Sequence, residues 1–268
     1  MHRETVQIGD ARLSVAMSGE GRPFVFQHGL CGAAEQTASV FPGELDWQLI
    51  TMECRGHGES ECGEFERLSI EQFTDDLAAF IVKLDVGPVL VGGISMGAAI
   101  ALRLAVRQPE LVCGLVLARP AWVSTASPKN LNPNLEVARL LEEYEPTEAK
   151  KRFEQSHTAS QLKREAPDNL ASLLGFFGRT PQNETQALLA AIASDGPGVS
   201  LNEIESLNIR TLVIGTAHDF IHPLEMAHEL ADLIPKAQFV EITSKTSNPM
   251  QYQAEIQSAL RHFLQEME

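Results

Sequence analysis

A serine set between glycines is the residue whose surroundings most directly indicate chemistry. The motif Gly-Ile-Ser-Met-Gly occupies residues 93–97, after an apolar run at 88–92 and before an alanine-rich stretch at 96–107. This order of strand, sharp turn and helix presents a serine hydroxyl as a nucleophile. The small flanking residues permit a strained turn, and the helix N-terminus favours developing negative charge. The pattern predicts Ser95 as a nucleophile, the alternative being a glycine-rich turn with an incidental serine.

A carboxylate that could act with this serine follows a later strand. The predicted strand at 210–215 runs into Gly-Thr-Ala-His-Asp at residues 215–219. Asp219 could orient or polarise a base, and its place after Ser95 in the chain is the order found in hydrolases with this serine turn. The alternative is a helix cap or a loop carboxylate, and the place of Asp219 in the chain favours the catalytic role. His218 and His222 are four residues apart, but Pro223 argues against a helical metal-binding face, and we predict no metal site.

Two further loops complete a resemblance to the α/β-hydrolase superfamily that covers nearly the whole chain. His28-Gly29-Leu30 is similar to the family's oxyanion loop, and Arg-Gly-His-Gly-Glu-Ser at 55–60 is similar to its R-G-x-G-x-S segment. The resemblance implies that the N–H groups of Leu30 and Met96 form an oxyanion hole. It implies a structural place for His28, with substrate contact as the alternative. For His57 it implies a packing role.

The histidine that this family keeps after its last strand is missing here. After the predicted strand at 238–242 the chain reads Thr-Ser-Lys-Thr-Ser-Asn-Pro, and Ser247 falls where histidine belongs. An unassisted serine hydroxyl is a weak nucleophile, so the missing base matters. Lys245 could replace it if burial lowered the pKa of its ammonium group. By loop position, His57 and His222 are the other candidate bases.

The residues after one predicted strand are of types that bind ligands. The predicted strand at 114–118 is followed by Arg119 and Trp122. Because the carboxyl ends of parallel strands face the binding crevice, both side chains are expected at the pocket as substrate-binding residues. An arginine there could bind a carboxylate or phosphate oxygen. The alternative is an ion pair with a nearby carboxylate such as Glu142 or Glu143.

The elements that must position these residues alternate between short apolar runs and helical patterns. This alternation predicts βαβ units and a mostly parallel sheet of roughly eight strands with helices on both faces. Between 119 and 196 no strand-like run appears, and short helical stretches are interrupted by Pro128, Pro133, Pro146, Pro167 and Pro181. We therefore predict an α/β-hydrolase core at 1–118 and 197–268 with a helical cap at 119–196. Eight apolar residues of this cap could line the pocket, although most should pack within it: Leu140, Leu141, Phe153, Leu170, Leu173, Leu174, Phe176 and Phe177.

Composition narrows the partners of this 268-residue chain. Lys and Arg number 21 and Asp and Glu 36, giving a net charge of −15 that disfavours nucleic acid and anionic membranes. The sequence contains no run of about 18 apolar residues, so we predict no membrane span. The four cysteines form no CxxC pair, which favours reduced thiols in the cytoplasm. We expect a small-molecule substrate and no cofactor, and the sequence is compatible with a homodimer.

Together these residues predict an enzyme that hydrolyses a small ester, thioester or lactone through an acyl-Ser95 intermediate. The missing histidine keeps a second hypothesis open. In that hypothesis the chain is a catalytically degenerate or non-hydrolytic member, which binds a small molecule or performs lyase or cyclase chemistry.

Overall fold

One eight-stranded sheet runs through the computed structural model, which describes residues 1–43 and 45–267. In spatial order its strands are β1 (His2–Ile8), β2 (Ala11–Ser18), β4 (Trp47–Met52), β3 (Arg22–Gln27), β5 (Val89–Ile94), β6 (Val112–Ala118), β7 (Thr211–Thr216) and β8 (Ala237–Ile242). Strand β2 pairs antiparallel with β1 and β4, and all the other pairs are parallel. The predicted mostly parallel eight-stranded sheet is confirmed.

Helices cover both faces of this sheet. They are α1 (Ala34–Val40), α2 (Ile70–Leu84), α3 (Met96–Arg107), α9 (Leu201–Glu205), α10 (Leu224–Leu233) and α11 (Pro249–Glu266). One apolar cluster joins the sheet to α2, α3 and α10, and a second joins its other face to α1 and α11. All six residues of β5 are buried, which explains its continuous apolar run, because a central parallel strand is covered on both sides.

A block of helices separates β6 from β7, and we call it the cap. It extends from the end of β6 to residue 196 and contains the helices α4 (Asn132–Glu143), α5 (Pro146–Glu154), α6 (His157–Glu165), α7 (Pro167–Phe176) and α8 (Gln182–Ser194). Pro133, Pro146 and Pro167 lie in the first turns of their helices, where a missing N–H costs nothing. The cap has its own apolar cluster, which includes Phe153 and Leu189.

The parallel strands place the candidate residues at one edge of the sheet. Ser95 directly follows β5, Arg119 directly follows β6, and Asp219 lies three residues beyond β7. Carboxyl ends of neighbouring parallel strands meet at the same edge, so these side chains converge. Within the described ranges, no helix is long and apolar enough to cross a membrane.

Candidate active site

Ser95 sits on a strained turn that only glycine neighbours allow. Its backbone has φ 57° and ψ −111°, and its N–H donates to the Ala118 carbonyl at 3.0 Å. A Cβ on Gly93 would lie 2.2 Å from the carbonyl carbon of Gly97, and one on Gly97 would lie 2.4 Å from the Gln27 oxygen. Both distances are far below van der Waals contact. The two glycines therefore let the turn close against β3 and hold Ser95 at the wall of the cavity.

Two backbone N–H groups near Ser95 in the fold, those of Leu30 and Met96, have no acceptor in the described chain. Met96 is the first residue of α3, so its N–H has no partner inside the helix. Among the described residues, neither this N–H nor that of Leu30 donates a hydrogen bond. The Leu30 loop is fixed from both sides, since the Gly29 N–H donates to Gln36 Oε1 at 2.7 Å and the Cys31 N–H donates to His57 Nε2 at 2.9 Å. Fixed, unpaired donors are what an oxyanion hole requires.

His28 and His57 hold these loops and do not reach the cavity. His57 donates from Nδ1 to the Arg55 carbonyl at 2.9 Å, and its Nε2 accepts the Cys31 N–H. His28 lies against the Gly29 carbonyl and accepts the Cys54 N–H at 3.1 Å. Burial lowers the pKa of both rings, so they stay neutral. Because each ring nitrogen is committed to the backbone, neither side chain is placed to contact substrate or to take a proton from Ser95.

Cys31 lines the cavity beside this loop, with a positive φ of 57°. Burial raises the pKa of its thiol to about 12, so it remains protonated at neutral pH. A protonated thiol is a poor nucleophile. Cys31 is therefore not a competing nucleophile, and Ser95 stays the candidate.

Asp219 lies buried between a guanidinium and an imidazole. Its Oδ2 accepts from Arg119 Nε at 2.9 Å, and its Oδ1 lies 2.9 Å from His222 Nδ1. Oδ1 also accepts the His222 backbone N–H at 3.0 Å. Burial would raise the pKa of this carboxyl, but His222 and Arg119 outweigh it and hold the pKa well below its usual range. Asp219 is therefore ionised, as the acid of a catalytic relay must be.

His222 is the histidine best placed to act on Ser95. Its Nδ1 faces the Asp219 carboxylate, which assigns the proton to that nitrogen and leaves the Nε2 lone pair. Nε2 has no hydrogen bond within the described chain, and the residue lines the same cavity as Ser95. Burial lowers the pKa of the imidazole, Arg119 lowers it further, and Asp219 opposes both. The ring is consequently neutral near pH 7, the state in which it can accept a proton.

Two buried cap asparagines hold the loop that carries His222. Asn169 Oδ1 accepts the N–H groups of Phe220 and Ile221 at 2.7 and 3.1 Å. Asn130 Nδ2 donates to the carbonyls of Ile221 and Ala121 at 2.6 and 3.1 Å. Sequence reasoning missed both residues, because nothing in a single sequence distinguishes a buried cap asparagine from an exposed one. They make the position of the candidate base depend on the cap.

Arg119 forms an ion pair with Asp219, the candidate acid. Its guanidinium bonds Asp219, lies 3.9 Å from Asp168 and sits 5.6 Å above the Tyr252 ring. The ion-pair alternative holds for Arg119, but with Asp219 and Asp168. It does not hold with Glu142 or Glu143, because both glutamates are exposed and Glu143 pairs with Arg139. The reason is the strand end, which aims Arg119 across the edge of the sheet towards the β7 loop. Trp122 lines the cavity and donates from Nε1 to the Asp195 carbonyl at 2.9 Å.

The loop after β8 brings Lys245 to the cavity. Lys245 is exposed at the cavity wall. Ser247 is also exposed, its Oγ lies 2.7 Å from Ser244 Oγ, and it is not among the described residues that line the cavity. Of the three candidate bases, the structure therefore brings His222 and Lys245 together with Ser95 and keeps His57 behind the loop.

The cavity measures about 590 Å³, a volume suited to a small molecule. Its wall combines apolar side chains of the core and cap with polar ones from both. Leu173 and Phe176 line it, whereas the other six apolar cap residues named from the sequence pack away from it. Across residues 1–43 and 45–267, no three His, Cys, Asp or Glu side chains are grouped as a metal site would need.

Known proteins share this architecture. The model of a family described as alpha/beta hydrolase fold matches residues 22–246. The putative non-heme bromoperoxidase BpoC of Mycobacterium tuberculosis is 28% identical over 230 residues, which cover 84% of this chain and 86% of that protein. A thermophilic esterase from Thermogutta terrifontis superposes with a TM-score of 0.76, at 22% identity and 99% coverage of both chains. The enol-lactonase from Burkholderia xenovorans LB400 superposes with a TM-score of 0.70, at 22% identity over 96% of this chain and 100% of that one. At such identities the solved structures establish the fold alone, and the predicted fold is confirmed.

Proposed function

The chain belongs to the alpha/beta hydrolase fold family, and from that premise we propose that it hydrolyses a small ester, thioester or lactone through an acyl-Ser95 intermediate. His222 is the observation that carries the proposal. It lines the cavity with Ser95, is oriented by an ionised Asp219 and keeps a free Nε2 lone pair within the described structure. The relay thus has a histidine, supplied by the loop of the acid and not by the loop after β8.

In this mechanism Ser95 attacks the substrate, His222 transfers protons, and two backbone N–H groups stabilise the oxyanion. His222 Nε2 takes the proton of Ser95 Oγ while the oxygen attacks the substrate carbonyl. The N–H groups of Leu30 and Met96 donate to the oxyanion of the tetrahedral intermediate. Protonated His222 then gives its proton to the departing alkoxide or thiolate, which leaves acyl-Ser95. A water molecule, deprotonated by His222, attacks the acyl group and releases the acid, and Ser95 regains its proton.

The similar proteins support this reaction class. The two solved structures described above are named as an esterase and an enol-lactonase, and both names denote cleavage of a carboxylic ester bond. A cavity of about 590 Å³ fits a small-molecule substrate. The four cysteines are free thiols in the structure, which suits the cytoplasmic location that we also propose.

Arg119 favours the second hypothesis, a binding or non-hydrolytic protein. Its guanidinium bonds Oδ2 of Asp219, so part of the carboxylate charge that would stabilise an imidazolium is already neutralised. It also lies 3.2 Å from His222 Nδ1 and disfavours protonation of that ring. If this opposition prevails, Ser95 has no effective base, and the cavity serves binding or a reaction that needs only the oxyanion hole.

Intact-mass labelling with a fluorophosphonate probe separates the two hypotheses. We expect stoichiometric labelling of the wild type and none of Ser95→Ala. His222→Gln should slow labelling roughly 10²- to 10⁴-fold, the usual contribution of a general base. His262→Gln is the matched control, because that ring is 74% exposed on α11, and it should label at the wild-type rate.

Two lysine variants complete the experiment. Full labelling of Lys245→Met eliminates the lysine as base, whereas loss of labelling there with retention in His222→Gln would transfer the role to Lys245. A wild type that stays unlabelled refutes the hydrolase. If the wild type stays unlabelled but Lys245→His is labelled, only the base is absent. That result would favour the binding or non-hydrolytic protein.

A further inference from the structure

Two cations line the cavity without a carboxylate partner. Arg179 from the cap and Lys245 from the loop after β8 both contribute to its wall. Within the described residues, neither has a carboxylate oxygen within 4 Å, whereas Arg119 is paired with Asp219. Asp168, the one carboxyl side chain among the described residues of the wall, accepts a hydrogen bond from the Thr246 hydroxyl and lies beside Arg119. In a chain of net charge −15, this wall carries an excess of positive charge.

Arg179 is held in place by neutral groups only. Its Nη1 donates to Thr185 Oγ1 at 2.9 Å, and its Nη2 donates to the Gly56 carbonyl. A guanidinium has five N–H donors, so three remain. The Gly56 contact sets Arg179 beside His57, whose Nε2 holds the Cys31 N–H of the oxyanion loop. The side chain is half-buried, and its fixed planar fork matches the geometry of a carboxylate.

An unpaired amide adds to this polar wall. Asn134, in the first turn of α4, lines the cavity and is only 5% exposed. Its buried Oδ1 has no hydrogen-bond partner, and within the described chain its Nδ2 donates to no group. A buried polar group without a partner destabilises the folded protein, so a ligand that pairs with it recovers that free energy. Asn134 therefore indicates a polar ligand next to the cations.

From these three side chains we propose that the substrate is an ester or lactone that carries a free carboxylate. This inference rests on the proposed hydrolysis at Ser95 and adds its substrate class. Arg179 binds the carboxylate through its free N–H edge, Lys245 supplies a second positive charge at the exposed side, and Asn134 bonds another polar atom of the ligand. Charge-assisted hydrogen bonds of this kind are about twice as strong as neutral ones.

Matched charged and uncharged esters test the proposal. The charged set is the mono-4-nitrophenyl esters of succinate, glutarate and adipate, each beside the 4-nitrophenyl alkanoate of equal chain length. 4-Carboxyphenyl acetate beside phenyl acetate covers a carboxylate on the alcohol side. We expect kcat/KM of the wild type to be at least about tenfold higher for one charged ester than for its neutral partner, and Arg179→Gln to reduce that ratio roughly 10- to 100-fold. Lys245→Met, which removes an exposed charge, should reduce it a few-fold.

A control and a binding measurement keep the result interpretable. Arg152→Gln removes an exposed cap arginine paired with Glu148 and should leave the ratio unchanged. By calorimetry, Ser95→Ala should bind monomethyl glutarate more tightly than dimethyl glutarate, and adding Arg179→Gln should abolish the difference. The inference is overturned if no charged ester is preferred while neutral esters are hydrolysed, or if Arg179→Gln keeps the full ratio. If Ser95 proves inert, the proposed hydrolysis fails, and the calorimetry alone then decides whether the carboxylate site exists.

Discussion

Replacing Arg119 by methionine tests whether this arginine stabilises the Asp219 carboxylate or binds the substrate. The guanidinium is 11% exposed and the Asp219 carboxylate 2%, and both ends of the pair lie in the protein interior. Removing one partner of a buried ion pair costs about 3–5 kcal/mol, because the other charge stays buried. At about 2–4 °C per kcal/mol for a chain of this size, the melting temperature should fall roughly 6–20 °C.

The same variant should change the pH dependence of hydrolysis in a defined direction. Arg119 lowers the pKa of His222, and Asp219 raises it. Without the arginine, the carboxylate acts unopposed and the pKa of the imidazole rises. Because the proposed mechanism requires a neutral His222, the acid limb of the kcat/KM profile should move to higher pH, with a larger loss at pH 6 than at pH 8.

Thermal melts and pH profiles with 4-nitrophenyl acetate measure both effects. Arg139→Met is the control, because its pair with Glu143 is exposed and should contribute less than about 1 kcal/mol. The double variant Arg119→Met with Asp219→Asn should melt higher than Arg119→Met alone, since no unpaired charge is left. An Arg119→Met protein that melts with the wild type, keeps its acid limb and loses only the preference for charged esters would refute this reasoning and make Arg119 a substrate anchor.

Three further predictions concern the framework of the site. Asn169→Leu leaves the Phe220 and Ile221 N–H groups without their acceptor. For each N–H group we expect the free energy of unfolding in urea to fall by about 1–3 kcal/mol, and we expect kcat to fall as well. Asn169→Asp should retain most of the stability and most of kcat. Gly97→Ala forces a Cβ to 2.4 Å from the Gln27 oxygen and should destabilise by about 1–3 kcal/mol, whereas Gly43→Ala, with open space around it, should be nearly neutral; equal urea midpoints would contradict the argument. The free energy of unfolding should decline as pH falls below about 6.5, because imidazoles then become protonated in the unfolded chain but stay neutral where they are buried in the folded one. The decline should reach up to about 1.4 kcal/mol per pH unit for each ring. A flat urea midpoint between pH 7.5 and 5.5 would exclude this effect for the three rings concerned, His28, His57 and His222.

Structural features that depend on residues close together in the chain could be predicted from the sequence. Apolar residues recur on one helical face over 70–84, and helix α2 spans these residues; it begins where the Ser69 side chain caps it by accepting the Gln72 N–H. The Ser95 turn was legible for the same reason, since both of its glycines lie within two residues of the serine. Helix α1 was not predicted: its seven residues are short, and its first N–H is bound by Glu53 from another loop.

Features that depend on distant pairs could not be read in this way. Arg119 and Asp219 are 100 residues apart, and no local signal says which carboxylate the arginine will meet. His222 was only one of three candidate bases, because its advantage lies in the contact of its Nδ1 with Asp219. The three-residue spacing of these two residues is visible in the sequence, but the turn that folds the ring back onto the carboxylate is not.

The two asparagines that hold the acid loop have a consequence for protein engineering. Exchanging the cap for that of another hydrolase would give the cavity a new wall and a new range of substrates. The exchange would also remove Asn130 and Asn169, so the backbone beside His222 would lose its anchors even though every residue of the relay was kept. In this chain the cap is therefore not an independent specificity module, and a chimera would stay active only if the incoming cap carried amides at the same two places.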